Sequence, residues 1–342
     1  MSEKNPIGLD GIAFVEYAAP GNGADDFDRL FQRLGFSRVA RHREHDVLLY
    51  AQHGIAFLVD RERDSFGARF AAEHGPSIPS MGWWVEDAER AIAAAVARGA
   101  QRYEGPTSYG VPAIVGIGGS LIHLVPKGNR SWRADFLPLD QPVHVRDRGF
   151  VAIDHLTNNV EKGTLERWSR FYREVFGFTD VRHFDIRGQK TGLQSYALRS
   201  PCGSFCIPIN EGSEAKSQIE EYLREYHGPG IQHIALTSGD LLASLDGLNE
   251  AGVATLDIDD DYYDTVFERV PNVREDHARI RELRVLVDGD DEGYLLQIFT
   301  RNVIGPIFFE MIQRHNHASF GEGNFGALFR SIERDQERRG VL

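Results

Sequence analysis

Two rhythms of apolar and polar residues run through this chain, and each occurs twice. The segment Phe27-Asp28-Arg29-Leu30-Phe31-Gln32-Arg33-Leu34 reads as an amphipathic helix and closes on Gly35-Phe36. The segment Trp168-Ser169-Arg170-Phe171-Tyr172-Arg173-Glu174-Val175-Phe176 does the same and closes on Gly177-Phe178. Glycine just past a helix end is the residue that tolerates the left-handed turn needed there. A strand is expected before each helix, at Gly11 to Tyr17 and Val151 to Val160, and another just after each. A second pair repeats the strand-then-helix order. Ser80 to Val85 leads into an Ala-rich helix from Ala88 to Arg98 that stops at Gly99, and Gly230 to Leu236 leads into a helix from Leu241 to Glu250 that stops at Gly252. Short apolar or alternating runs follow, at Val47 to Tyr50, Ile55 to Val59, Leu121 to Val125, Gln194 to Leu198, Phe205 to Ile209, Arg284 to Val287 and Tyr294 to Phe299; these predict strands.

Four β-α-β-β-β units result, starting near residues 8, 78, 150 and 229. This is an internal duplication. Pairing the units predicts an α+β fold of two domains, each a curved, mostly antiparallel, barrel-like sheet with helices outside. The expected domains are residues 1–140, without a metal site, and residues 145–342, carrying the chemistry. The Pro-bearing stretch Leu137-Pro138-Leu139-Asp140-Gln141-Pro142 is the expected linker. A final helix is expected from about Gly326 to Arg338.

Composition narrows the function. The 342 residues carry a net charge of −13, which opposes nucleic-acid binding. The hydrophobic fraction of 42% suits a globular chain with ample core. No apolar run reaches membrane-spanning length, and Met1-Ser2-Glu3-Lys4-Asn5-Pro6 has no apolar signal core, so no membrane span and a cytoplasmic location are expected. Cys202 and Cys206 are read as two reduced thiols near a turn.

The chemistry is expected around Gly305-Pro306-Ile307-Phe308-Phe309-Glu310-Met311-Ile312-Gln313-Arg314, an apolar strand bearing one carboxylate. A buried carboxylate needs a partner, and Arg314 is the nearest cation in sequence. The duplication suggests another partner. The second half has Ile153-Asp154-His155-Leu156 and Ile231-Gln232-His233-Ile234, with a histidine inside each apolar strand. At roughly matching positions the first half has Ala13 and Gly82, with His123 near the place of Glu310. The fold therefore does not require the trio His155, His233 and Glu310. Two histidines and a carboxylate fit the facial triad of non-haem Fe(II) oxygenases, although zinc accepts the same set. His53, His74, His144, His227 and His277 lie in mostly polar or loop-like surroundings. His315 and His317 are read as a solvated loop rather than a second metal pair.

These motifs resemble the 4-hydroxyphenylpyruvate dioxygenase family of the vicinal-oxygen-chelate superfamily. The resemblance covers nearly the whole chain. It rests on Ile153-Asp154-His155-Leu156-Thr157, on Gly230-Ile231-Gln232-His233, on Phe308 to Arg314, and on the tail Phe320-Gly321-Glu322-Gly323-Asn324-Phe325 followed by Ser331 to Leu342. It implies an Fe(II) enzyme of tyrosine catabolism that converts 4-hydroxyphenylpyruvate and O2 to homogentisate and CO2, with His155, His233 and Glu310 as iron ligands. It further implies catalytic polar groups at Ser195, Asn210, Gln232 and Gln297, and substrate-binding residues Gln218, Pro208, Phe308, Phe320 and Phe325, of which the three phenylalanines form an aromatic wall. A homo-oligomer is implied as well. Ser319 stands where the family more often has glycine. The nearest rival is 4-hydroxymandelate synthase, which shares substrate and iron; it tends to have a smaller aliphatic residue where Phe320 stands. A metal-dependent isomerase or lyase on the same fold, and a protein that only binds an aromatic ligand, are further alternatives.

Overall fold

The structure is a computed structural model that describes residues 2–21, 23–128, 132–188 and 190–341. Met1 of the N-terminal stretch and Leu342 of the tail motif lie outside the described residues. In the first half the order is β1 (Leu9–Ala18), α1 (Ala24–Arg33), β2 (Ser37–His42), β3 (Val47–Gln52), β4 (Ile55–Asp60), α2 (Phe66–His74), β5 (Ser77–Val85), α3 (Ala88–Ala97), β6 (Ala113–Val115), β7 (Leu121–Pro126) and β8 (Phe136–Val143). In the second it is β9 (Phe150–Val160), α4 (Leu165–Phe176), β10 (Thr179–Arg187), β11 (Gly192–Arg199), β12 (Cys206–Gly212), α5 (Gln218–Glu225), β13 (Gly230–Ser238), α6 (Leu241–Glu250), α7 (Tyr262–Arg269), α8 (His277–Glu282), β14 (Leu286–Gly289), β15 (Tyr294–Phe299), β16 (Phe308–His315) and α9 (Phe325–Arg338).

Each half builds one eight-stranded sheet, ordered β6-β7-β5-β1-β4-β3-β2-β8 and β10-β11-β12-β9-β13-β16-β15-β14. The four-unit reading is visible in these orders. The sheets are mixed, with parallel joints at β1–β4, β5–β7, β9–β12 and β13–β16 and antiparallel pairing elsewhere. Local chemistry fixes the helix ends. Gly177 takes φ 78° after α4, and its N–H donates to the Arg173 carbonyl. Asp87 and Asp240 cap α3 and α6 by accepting backbone N–H bonds from Arg90 and Ala243.

The expected linker is corrected. Residues 137–142 lie inside β8, which pairs with β2 through Leu137 opposite Arg41 and Pro138 opposite Ala40. Proline, which cannot donate to a ladder, is tolerated because β8 is an edge strand. The chain passes between the halves in residues 144–149.

Strand alternation sorts side chains onto two faces. One face of both sheets joins a single continuous core. Val15, Met81, Trp83 and Leu124 from the first sheet lie there with Leu156, Ile234, Leu236, Phe309 and Met311 from the second. Trp83 is wholly buried and spans the join, with ring centroids 5.0 Å from Phe176, 5.7 Å from Phe205 and 5.8 Å from Phe178. The opposite faces differ between the halves. In the first half Phe14, Leu49, Leu58, Tyr109, Val125, Trp132 and Phe136 fill it. In the second half the same face opens on a cavity.

Candidate metal centre and aromatic cavity

The three candidate ligands stand on three consecutive strands, β9, β13 and β16. Ala235 on the middle strand lies opposite His155 on one side and Glu310 on the other, and His233 stands two residues before it on the same face. His155 Nε2 is 3.0 Å from Glu310 Oε2, and His233 Nε2 is 3.4 Å from the same oxygen. The ligand atoms of all three lie within 4.8 Å of one another, and no other such cluster occurs among the described residues. All three residues are buried.

The electrostatics follow from that geometry. Burial alone would push the Glu310 carboxyl up, but the two histidines outweigh it and hold the carboxyl down at about 2. Burial pushes His155 down, yet the Glu310 charge and the bond to Asp154 raise it to about 9. His233 is lowered by burial. Its Nδ1 has no hydrogen-bond partner. Its ring instead stacks on Phe308, with centroids 4.8 Å apart and planes 21° from parallel. Two imidazoles and one carboxylate, converging in a buried site with a single anionic charge, are a donor set that fits a divalent metal ion.

Arg314, the cation nearest Glu310 in sequence, does not pair with it. It forms two bonds to Asp154, Nε to Oδ1 at 2.8 Å and Nη2 to Oδ2 at 2.9 Å. Asp154 in turn lies 2.8 Å from His155 Nδ1.

The cavity beside the trio has a volume of about 160 Å3. Ser195, Pro208, Asn210, Gln218, Gln232, Phe308, Phe320 and Phe325 all line it. Ser195 and Asn210 face each other across the β11–β12 ladder. Asn210 Nδ2 reaches Asn159 Oδ1 at 3.4 Å. Gln218 is the first residue of α5, whose cap is Ser217. Phe320 stands edge-on to His155, 5.4 Å between centroids. Gln297 does not line the cavity. It is buried on β15 with neither amide atom bonded, and a Cβ built on Gly321 would lie 2.3 Å from its Nε2. Gln297 therefore sits behind the tail rather than in the cavity. Ser319 has no positive φ, so serine replaces glycine there without strain; Gly321, at φ 78°, is where the tail needs glycine. His315 ends β16 rather than lying in a loop, 2.9 Å from Glu275, and His317 lies 3.6 Å from Asp290.

Registers also correct the comparison between halves. Phe14 and His123 both lie opposite Gly82, as His155 and Glu310 both lie opposite Ala235, and Glu16 lies opposite Ser80 as Thr157 lies opposite His233. The first-half counterparts of the trio are thus Phe14, Ser80 and His123, not Ala13 and Gly82. Ala13 corresponds to Asp154. Sequence reading missed Asp154 and Arg314 as parts of the site. The acid beside His155 was visible in Ile153-Asp154-His155, but its direction was not.

Comparison with known proteins agrees with this layout. Residues 3–135 match the family described as hydroxyphenylpyruvate dioxygenase, HPPD, N-terminal, and residues 152–297 match the glyoxalase/bleomycin resistance protein/dioxygenase superfamily. Protein MelA of Shewanella colwelliana is 54% identical over 100% of this chain and 99% of its own length. The 4-hydroxyphenylpyruvate dioxygenase of Pseudomonas aeruginosa is 45% identical over 100% of this chain and 98% of its own. Among solved structures, a mutant of 4-hydroxymandelate synthase from Streptomyces coelicolor superposes with a TM-score of 0.82 at 27% identity, covering 96% of this chain and 99% of that one. Taken with the buried His-His-Glu trio, these likenesses place the chain in the 4-hydroxyphenylpyruvate dioxygenase family.

Proposed function

We propose that the chain is an Fe(II)-dependent 4-hydroxyphenylpyruvate dioxygenase that converts its substrate and O2 to homogentisate and CO2. The observation that carries this reading is the convergence of His155, His233 and Glu310, all buried, on the wall of a cavity lined by both aromatic and neutral polar side chains. In this reading residues 145–342 hold the catalytic site and the first half is a scaffold whose equivalent space is filled by side chains. When bound, Fe(II) would supply the activation of O2 and a Lewis acid for the keto acid. The protein's share is binding, orientation and exclusion of water.

His155, His233 and Glu310 would together hold the ion, with Glu310 lowering its net charge, and an ion held by only three protein ligands would be able to take an α-keto acid and O2. Phe308, Phe320 and Phe325 offer faces and edges to a phenol ring. Ser195, Asn210, Gln218 and Gln232 are neutral groups able to hold the phenol and the keto acid without competing strongly for iron. Phe320 at the cavity favours the dioxygenase over the mandelate-forming reading. A homo-oligomer is carried over from the family resemblance, and light scattering tests it.

The deciding experiment adds Fe(II) and 4-hydroxyphenylpyruvate without oxygen, then admits O2. A visible charge-transfer band followed by homogentisate supports the proposal. Hydroxymandelate without homogentisate, or turnover that persists without oxygen, refutes it.

A further inference from the structure

The two candidate histidine ligands are held in different ways. His233 is fixed by stacking on Phe308 and its Nδ1 has no partner, whereas His155 has a carboxylate at its Nδ1. Adjacent strand residues normally point to opposite faces. Asp154 and His155 escape that rule because β9 carries a bulge: Ala235 lies opposite His155 and the next pair is Leu236 opposite Ile153, which leaves Asp154 as the extra residue. A bulge turns a side chain from its expected direction. The first half has the same irregularity at Ala13, between the pairs Ile12–Trp83 and Phe14–Gly82. The fold supplies the bulge in both halves, but only the second places an acid on it.

Arg314 then connects this acid to the tail. While Nε and Nη2 hold Asp154, Nη1 donates to the carbonyls of His317 at 3.1 Å and Ser319 at 2.5 Å. The guanidinium also sits 5.8 Å from the centre of the Phe320 ring. One planar group with rigidly placed donors thus grips both a partner of His155 and the backbone that presents Phe320.

We propose that Asp154 and Arg314 are positioning residues that set the metal-ligand imidazole of His155 and the aromatic wall of Phe320 as one unit. Asp154 accepts from the Nδ1–H of His155, so that Nε2, the nitrogen facing Glu310, is the one left to ligate the ion. Arg314 fixes Asp154 and seats the tail against the same ring. The metal site and the substrate wall are therefore assembled by a single ion pair.

This inference rests on the reading of the trio as an Fe(II) site. The test is anaerobic Fe(II) titration of the full chain and its variants, followed by titration of the iron-loaded proteins with 4-hydroxyphenylpyruvate. Asp154→Ala is expected to weaken Fe(II) binding about 10–100-fold, the usual effect of losing the outer partner of a ligand histidine. Asp154→Asn keeps an acceptor for Nδ1–H and is expected to recover part of that loss; it decides the matter alone if Asp154→Ala does not fold. Arg314→Lys keeps a cation beside Asp154 but cannot span the acid and two carbonyls. It is expected to leave Fe(II) affinity within about threefold of the parent while weakening substrate binding about tenfold and shifting its charge-transfer band. A merely structural ion pair would lower thermal stability and leave both affinities in place. That result in the Asp154 and Arg314 variants overturns the inference while the parent still binds Fe(II). A parent chain that takes up no Fe(II) overturns the metal reading and this inference with it.

Discussion

Glu16 offers the most quantitative test of the claim that the first half is scaffold. Its carboxyl is buried on β1, where Tyr109 OH donates to Oε1 at 2.7 Å and Ser80 Oγ donates to Oε2. Burial and the nearby Asp60 charge raise it from 4.5 to about 8, against the smaller lowering by Ser80 and Tyr109. Between those two values the folded protein keeps the Glu16 proton and the unfolded chain has lost it. The group's contribution to stability is thus complete below 4.5 and is lost as pH rises through about 8. The full change corresponds to about 4–5 kcal/mol, of which about 2 kcal/mol falls between pH 6 and pH 8. Glu16→Gln removes the titration while nearly preserving the shape. Urea unfolding of parent and variant, followed by tryptophan fluorescence at several pH values, reads the difference, in which titrating groups other than Glu16 and its neighbour Asp60 cancel. The variant should gain about 2 kcal/mol on the parent between pH 6 and pH 8, with Fe(II) affinity and turnover unchanged. A difference that stays constant from pH 5 to pH 9 would show that Glu16 is not protonated in the fold and would refute the argument.

Glu310→Ala and His233→Ala should each abolish Fe(II) retention while circular dichroism stays that of the parent; an active variant would remove that residue from the ligand set. Phe320→Ala should weaken 4-hydroxyphenylpyruvate binding about fivefold, the equivalent of one lost aromatic contact of about 1 kcal/mol, with Fe(II) affinity unchanged in calorimetry. Gly321→Ala should loosen the tail, because φ is 78° and the new Cβ would meet Gln297 Nε2 at 2.3 Å; a cost of about 1–2 kcal/mol should appear as faster proteolysis near α9, and unaltered cleavage would count against the tail geometry.

Much of the molecule is written locally. Helices that end on Gly35, Gly99, Gly177 and Gly252, strands with period-two patterning, and the repetition of both need no tertiary information. The trio could be singled out because, at the related places Phe14, Ser80 and His123, the first half keeps one histidine and no carboxylate. Proline misled at β8, since a strand at a sheet edge tolerates what a central strand does not. The helices α7 and α8 were not expected, because short, charged segments between strands carry little periodic signal.

By itself the sequence determined the duplicated α+β architecture and singled out the three candidate ligands, both of which follow from periodicity and residue type; the aromatic wall around them was implied by the family resemblance. Tertiary structure decided which residues share a face with the ligands. The bulge in β9 turned Asp154 toward His155, and Arg314 took Asp154 rather than Glu310. Registers paired the trio with Phe14, Ser80 and His123. Gln297 fell behind Gly321 and not into the cavity. Tyr109 and Trp132 help fill the face of one sheet whose counterpart in the other borders the cavity. Each outcome depends on pairing between strands distant in sequence, where a shift of one residue changes the direction of a side chain and leaves the local pattern of apolar and polar residues untouched.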